Sequence, residues 1–398
     1  MTDKTLTMMA VGDIILGEPQ AESFFDYVAP VLRSADVVVG QGEVVFTNRG
    51  ICSSTDVAAP PCDPANMSAI PYAGFNAITL AGNHIWDSGP AGIEDTIAGL
   101  QNYGIASCGA GMNIDEARQP AIIKRNGTTF GFLSYNCVGP KESWATAKKP
   151  GCAYVNILTH YELDYATPGG PPSIYTFAQP RSLEAMVADI QKLRPLCDVL
   201  AVALHKGIGH VPARLAQYEK DISYAAIDAG ADLILGHHAH ILKGIERYRG
   251  KTIFHGLGNF VTVTRALTPK PGDDSQQWAI RRKELFGFAP DPEYPTYPFH
   301  PEAKQTIIAR CTVTGGKIRR VSYLPCFVNH WFKSQRLGNK EVNKSPASGL
   351  VKLPLIGHIT LKGKHRQPGV LQSYPSFTSE RNSTTAELNF SGSSTAAA

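Results

Sequence analysis

Leu233-Ile234-Leu235-Gly236-His237-His238-Ala239-His240 joins a short aliphatic run to a cluster of imidazoles. Three aliphatic residues make a run too short for a helix and too apolar for a surface, which is the pattern of a buried strand. The glycine then lets the backbone turn. Three imidazoles in four residues follow, an arrangement that repels itself when charged and so favours neutral, ligand-type histidines.

The same figure, an apolar run that stops in polar residues, occurs four more times. Leu6 to Val11 ends in Gly12-Asp13, and Val37 to Val39 in Gly40-Gln41-Gly42-Glu43. Ala77 to Leu80 ends in Ala81-Gly82-Asn83-His84, with Asp87 three residues beyond the histidine. Val199 to Leu204 ends in His205. Between these runs lie segments with helical spacing: 21–33, 91–102, 182–193 and 215–229. Thr129 to Tyr135 adds a further strand. Strands alternating with helices predict an α/β protein whose mostly parallel or mixed sheet is buried on both faces. Such sheets bind ligands where their strands end. Asp and Glu oxygens, an Asn carbonyl and neutral imidazoles converging there form the donor set of a divalent cation. Taken singly, Gly12-Asp13 also suits a turn, and His205 a core histidine.

Of the 398 residues, 38 are Lys or Arg and 34 Asp or Glu, a balance that argues against a nucleic-acid binder. The hydrophobic share of 43% is enough to bury a core. No apolar run approaches the roughly 18 residues of a membrane helix, and Met1 to Met8 holds Asp3 and Lys4 with no signal-like core, so the expectation is a soluble, cytoplasmic chain. One domain is expected over residues 1–335, with long irregular covers near 139–180 and 269–301. Thr306 to Val313 and Ile318 to Leu324, around Gly315-Gly316, should form a late hairpin. Residues 336–398 form an extension whose Ser, Thr, Ala and Asn content predicts disorder from about 363. Eight cysteines show no zinc spacing; Cys52 and Cys62 flank a loop and could pair in an oxidising compartment.

The ordered signatures resemble the calcineurin-like metallophosphoesterase fold, and within it the CapA family, named for poly-γ-glutamate capsule biosynthesis. The residues that carry the resemblance are Val11-Gly12-Asp13, the motif ending at Glu43, Asn83-His84-x-x-Asp87-x-Gly89 and His205. They continue through Asp228 to Asp232, Gly236 to His240 and Gly256-Leu257-Gly258-Asn259-Phe260. The resemblance covers about residues 6 to 262 and implies a four-layer α-β-β-α sandwich.

It also implies a metal site, with Asp13, Glu43, Asn83, His205, His238 and His240 as ligands. Two departures from the wider phosphoesterase pattern bear on that site. Ile15 stands where a ligand histidine is usual, and Glu43 stands where a bridging aspartate is usual. Two-metal hydrolysis needs both ions, so a single divalent ion is expected, with Ca, Mn, Mg and Zn not distinguished, and ordinary phosphoesterase activity is not.

Acid-base work falls to His84, oriented by Asp87, together with Asp13, His205 and His300 in the proline-stiffened Tyr297-Pro298-Phe299-His300-Pro301. Lys206 and Arg247 are candidates to hold a substrate carboxylate. The implied substrate is a peptide or polyglutamate-like chain. The chemistry would be amide hydrolysis or transfer, or Cα proton exchange as in a CapA-like branch resembling lasso-peptide epimerases. The reading from a different class is a non-catalytic accessory that holds polyglutamate for a partner synthetase.

Overall fold

The computed structural model describes residues 4–51, 53, 59–163, 170–266, 280, 283–284, 286–289 and 291–329. Cys52, much of the expected cover at 269–301 and the extension 336–398 lie outside the described residues.

Two mixed sheets form the centre. The first runs, in spatial order, Lys317–Phe327, Gln305–Thr314, Thr5–Leu16, Val37–Gly42, Ala77–Thr79 and Ala106–Cys108, and Asn259–Val263 pairs with the far half of Thr5–Leu16. The second runs Ile245–Tyr248, Lys251–Phe254, Leu233–His238, Val199–Lys206, Thr128–Asn136 and Ala121–Arg125. Strand alternation sorts the side chains into layers. Leu6, Met8 and Ala10 meet Phe130, Phe132, Ala201, Ala203, Leu233 and Leu235 between the sheets. Met9 and Val11 point outward to Phe24, Phe25, Leu32 and Ile70. On the other side Leu200, Val202 and Leu204 pack against Met186 and Ile190 of the helix Pro180–Leu193 and Ile222 and Ala226 of Gln217–Ala229. The result is a four-layer α-β-β-α sandwich, with the late hairpin in place at the edge of the first sheet.

Two expectations are corrected. The segment 21–33 is not one helix but a 3-10 turn, Ala21–Phe25, followed by a short helix, Ala29–Leu32. Pro30 has no N–H for the Asp26 carbonyl, so a continuous helix cannot form. Its apolar residues still bury, which is why the spacing looked helical. The stretch 139–180 is not wholly irregular, since Ile157–Glu162 and Ser173–Ala178 pair antiparallel. Their side chains are largely exposed, so no one-sided alternation marked them. Cys62 is a buried free thiol. Among the described residues no helix is long and apolar enough to cross a membrane.

Gly12 shows what the first signature costs in space. The Asp13 N–H donates to Gly258 O at 3.1 Å, and a Cβ on Gly12 would fall 1.8 Å from that same oxygen. Only glycine permits the crossing of these two strand ends, which brings Asp13 beside Asn259.

Candidate metal centre

All five strand ends meet at one edge of the sandwich. A register irregularity in Thr5–Leu16 around Asp13 re-aims that carboxylate. Its Oδ1 lies 3.1 Å from His237 Nδ1, and its Oδ2 lies 3.2 Å from His240 Nδ1. Glu43 reaches in from the end of Val37–Gly42, with Oε1 3.5 Å from His240 Nε2 and 3.8 Å from His205 Nε2. His205 Nε2 donates to Asn83 Oδ1 at 2.7 Å. His238 packs its ring against His205, with centroids 4.9 Å apart. Ligand atoms of Asp13, Glu43 and His240 lie within 4.8 Å of one another.

A hydrogen-bond chain fixes His240. The Tyr297 hydroxyl donates to Ala303 O at 2.6 Å and accepts from Asn259 Nδ2 at 3.0 Å. Asn259 therefore presents its Oδ1, at 2.9 Å, to His240 Nδ1. The proton of a neutral His240 then sits on Nδ1, and Nε2 offers its lone pair toward Glu43.

The electrostatics are unbalanced. Burial, reinforced by the Asp13 charge, pushes the Glu43 carboxyl up to about 7. Burial would raise Asp13 too, but hydrogen bonds from His237 and His240 outweigh it and hold the group well below the usual carboxylate range. Burial works against a charged His240, yet the hydrogen bond it donates to Asp13 and the charges of Glu43 and Asp13 bring it up to about 9. Burial and the neighbouring imidazoles push His205 well down, and carry His238 down to about 3. Both oxygens of Glu43, and Nδ1 of His205 and of His238, are buried without a hydrogen-bond partner among the described residues. Buried carboxylate oxygens are ordinarily hydrogen-bonded or bound to a cation. Oxygen and imidazole donors with these orphaned atoms fit a divalent ion.

His84 stands at the rim, on the turn Asn83–Trp86. Its Nδ1 lies 2.6 Å from Asp87 Oδ2, which also accepts the Ala59 N–H at 2.7 Å. The Asp87 side chain is 2% exposed and that of His84 17%, so the orienting partner is enclosed while the imidazole reaches solvent. Burial opposes its charge, but the Asp87 hydrogen bond and charge and the Glu43 charge raise its pKa.

Other expected residues go elsewhere. Lys206 points to the opposite face of its strand, where Glu219 and His255 enclose it completely, so it cannot reach a substrate carboxylate. Arg247 is exposed on the hairpin of the second sheet and donates to Gly250 O. His300 adjoins Phe299, whose ring packs on His240, but its Nδ1 accepts the Glu302 N–H and starts the turn Pro301–Lys304. The sequence reading counted His237 in the imidazole cluster but left it out of the ligand set, and it gave Asn259 and Tyr297 no role, although all three lay inside quoted stretches.

The four-layer sandwich gathers carboxylates and imidazoles at its strand ends. Residues 7–264 match the model of the bacterial capsule synthesis protein family PGA_cap, and the chain belongs to that family. It is similar to the PGA biosynthesis protein CapA of Bacillus subtilis (strain 168), 28% identical over 277 residues that cover 65% of this chain and 64% of that protein. It is also similar to a probable polyglutamine synthesis accessory protein of Mycobacterium tuberculosis (strain ATCC 25618 / H37Rv), 30% identical over 236 residues, 57% of this chain and 56% of that one. The chain thus spans less than two thirds of these relatives' length. Among solved structures it is similar to the calcineurin-like phosphoesterase YfkN from Bacillus subtilis, with 12% identity and a TM-score of 0.37 over 81% of this chain and 90% of that one.

Proposed function

We propose that this chain is a metal-assisted enzyme of polyglutamate or peptide biosynthesis that acts on the amide backbone of a poly-γ-glutamate-like chain. The observation that carries the reading is Glu43, a buried carboxylate with two unpartnered oxygens facing Asp13 and His240. Asp13, Glu43 and His240, with Asn83, His205 and His238 beside them, would hold one divalent ion that satisfies these atoms. When bound, it would stabilise negative charge developing on a substrate carbonyl oxygen.

The proton chemistry belongs to the chain itself. Asp87 accepts the Nδ1–H of His84 and leaves Nε2 at the solvent-facing rim, where it takes a proton from the substrate or returns one. Asn259 and Tyr297 keep His240 in the tautomer whose Nε2 faces Glu43 and would be free to hold the ion. Enclosure by the strand ends excludes bulk water from the inner carboxylates.

The test is to incubate the protein and Mn2+ with poly-γ-glutamate in D2O and follow the polymer by mass spectrometry. Released fragments mean amide cleavage, and deuterium at Cα without fragments means epimerisation; either supports an enzyme. Polymer that binds with neither change overturns the enzymatic reading and leaves the accessory role, in which the chain presents polyglutamate to a synthetase.

A further inference from the structure

A third element, which no sequence motif marked, leans on the candidate centre. The loop between Val199–Lys206 and Gln217–Ala229 carries His210, whose ring stacks on His240 with centroids 5.5 Å apart and planes at 23°. Phe299 packs on the same imidazole at 4.9 Å and lies 5.9 Å from His210, so the three rings form one cluster. Phe288 closes around His210 at 5.0 Å. The backbone joins the two histidines as well, since His210 N donates to Ala239 O at 2.9 Å.

What holds this loop is a lysine. Lys243, 5% exposed, donates to Ile208 O at 3.2 Å, to Arg214 O at 3.0 Å and to Val211 O, which are three carbonyls of one loop. An ammonium has three donors and no acceptor, and here every donor is committed to the segment on either side of His210. The backbone beneath needs such support. His210, His238 and His240 have φ of 59°, 79° and 54°, in the left-handed region that non-glycine residues seldom occupy. Such conformations persist where the surroundings over-determine them.

The geometry points to His210 as a positioning residue: clipped in place by Lys243, it presses on the face of His240 and pre-sets that imidazole for a divalent cation. The inference rests on the metal reading proposed above. Its content is steric, so the face of the ring matters and the His210 nitrogens do not. A ring held in its binding orientation before the ion arrives loses no rotamer freedom on binding, and the hydrogen-bonding partners that orient ligand histidines are worth 10–100-fold in metal affinity, an upper bound for a ring that only packs.

The experiment uses Co2+ alone, titrated by calorimetry and by the visible absorption of the bound ion. His210→Ala should bind Co2+ about tenfold more weakly and shift the visible band, with melting temperature measured alongside. Lys243→Met should reproduce the loss, and His210→Phe, which keeps a flat ring, should restore affinity and band position. Unchanged affinity and spectrum in His210→Ala overturns the inference. So does failure of His210→Phe to rescue a weakened site, because the nitrogen would then be the working part. A wild-type protein that binds no Co2+ removes the metal reading itself, a failure distinct from wild-type binding that ignores His210.

Discussion

His205 and Lys206 are neighbours in sequence and belong to two different buried clusters. Strand alternation sends His205 to the space between the sheets and Lys206 to the helix side. The Lys206 cluster is saturated. Its ammonium contacts Glu219 O at 3.3 Å, Glu219 Oε2 at 3.4 Å and His255 Nδ1 at 2.9 Å. Glu219 Oε1 takes the Ala216 N–H, His255 Nε2 donates to Glu246 at 2.9 Å, and the Tyr224 hydroxyl donates to the other Glu246 oxygen. The Glu43 cluster is equally buried and left open. Buried charge is costly unless partnered, so the first cluster is finished as protein and the second needs something that is not protein. Burial alone therefore does not mark a site; burial with unfinished valence does.

The comparison breaks first at the rim. His84→Ala should lose about 10²–10⁴-fold in turnover if His84 carries the proton, with fold and bound metal intact, and Asp87→Asn should lose less because it disturbs only orientation. Steady-state kinetics with calorimetric metal titration check this. A metal-loaded His84→Ala protein with unchanged turnover moves the proton chemistry to another histidine. Next in size is Lys206→Met, which leaves Glu219 without its cation in a closed space. Breaking a buried pair from one side costs about 3–5 kcal/mol, so denaturant unfolding should show a large loss of stability with the metal affinity of the remaining folded protein unchanged. A stable Lys206→Met protein that no longer binds metal would merge the two clusters into one.

How far the sequence could have led to this contrast depends on the kind of signal. Apolar runs ending in Gly12-Asp13, Glu43, Asn83-His84, His205 and His237 to His240 are local, and they led to the sheets and to one converging edge. The orientation of His84 by Asp87 was legible for the same reason, as a spacing within one turn. Lys206 was misjudged because alternation says which faces two neighbours take, not what waits on each; Glu219 and His255 come from a distant helix and strand. The roles of Tyr297 and His210 were invisible because they exist only through tertiary contact with Asn259 and His240. The helix expected at 21–33 failed on Pro30, a local signal that apolar spacing overrode.

The saturated cluster carries its own pH signature. Burial, and then the Lys206 charge, push His255 down to about 4, below the ordinary 6.5 of the unfolded chain. Between these values the unfolded state binds the extra proton and the folded state does not, so stability is full above pH 6.5 and falls as the pH drops toward 4. The loss from this group is about 3 kcal/mol. His255→Gln can still accept from Lys206 and donate to Glu246 without titrating, and urea midpoints from pH 7 to 4 should fall less steeply in the variant. Parallel profiles would mean that His255 is not held neutral.

The smallest effect is the sharpest for the open cluster. Glu43→Gln removes a buried carboxylate whose oxygens have no partner and whose charge opposes Asp13. Without metal, the variant should therefore be more stable than the wild type, by about 1 kcal/mol, the scale of a single buried polar group. Most substitutions at buried sites destabilise, so the sign itself is diagnostic. With Mn2+ the order should reverse. Binding to the native state alone adds about 2.7 kcal/mol at a hundredfold excess over Kd, and the variant, short of an anionic ligand, forfeits most of that gain. Thermal melts of both proteins, with chelator and with Mn2+, should cross. If Glu43→Gln is the less stable protein under chelator, the carboxylate is held by the protein after all, and the contrast with the Lys206 cluster disappears. A variant that keeps the full Mn2+ shift would instead take Glu43 out of the ligand set and leave Asp13 and His240 to carry it.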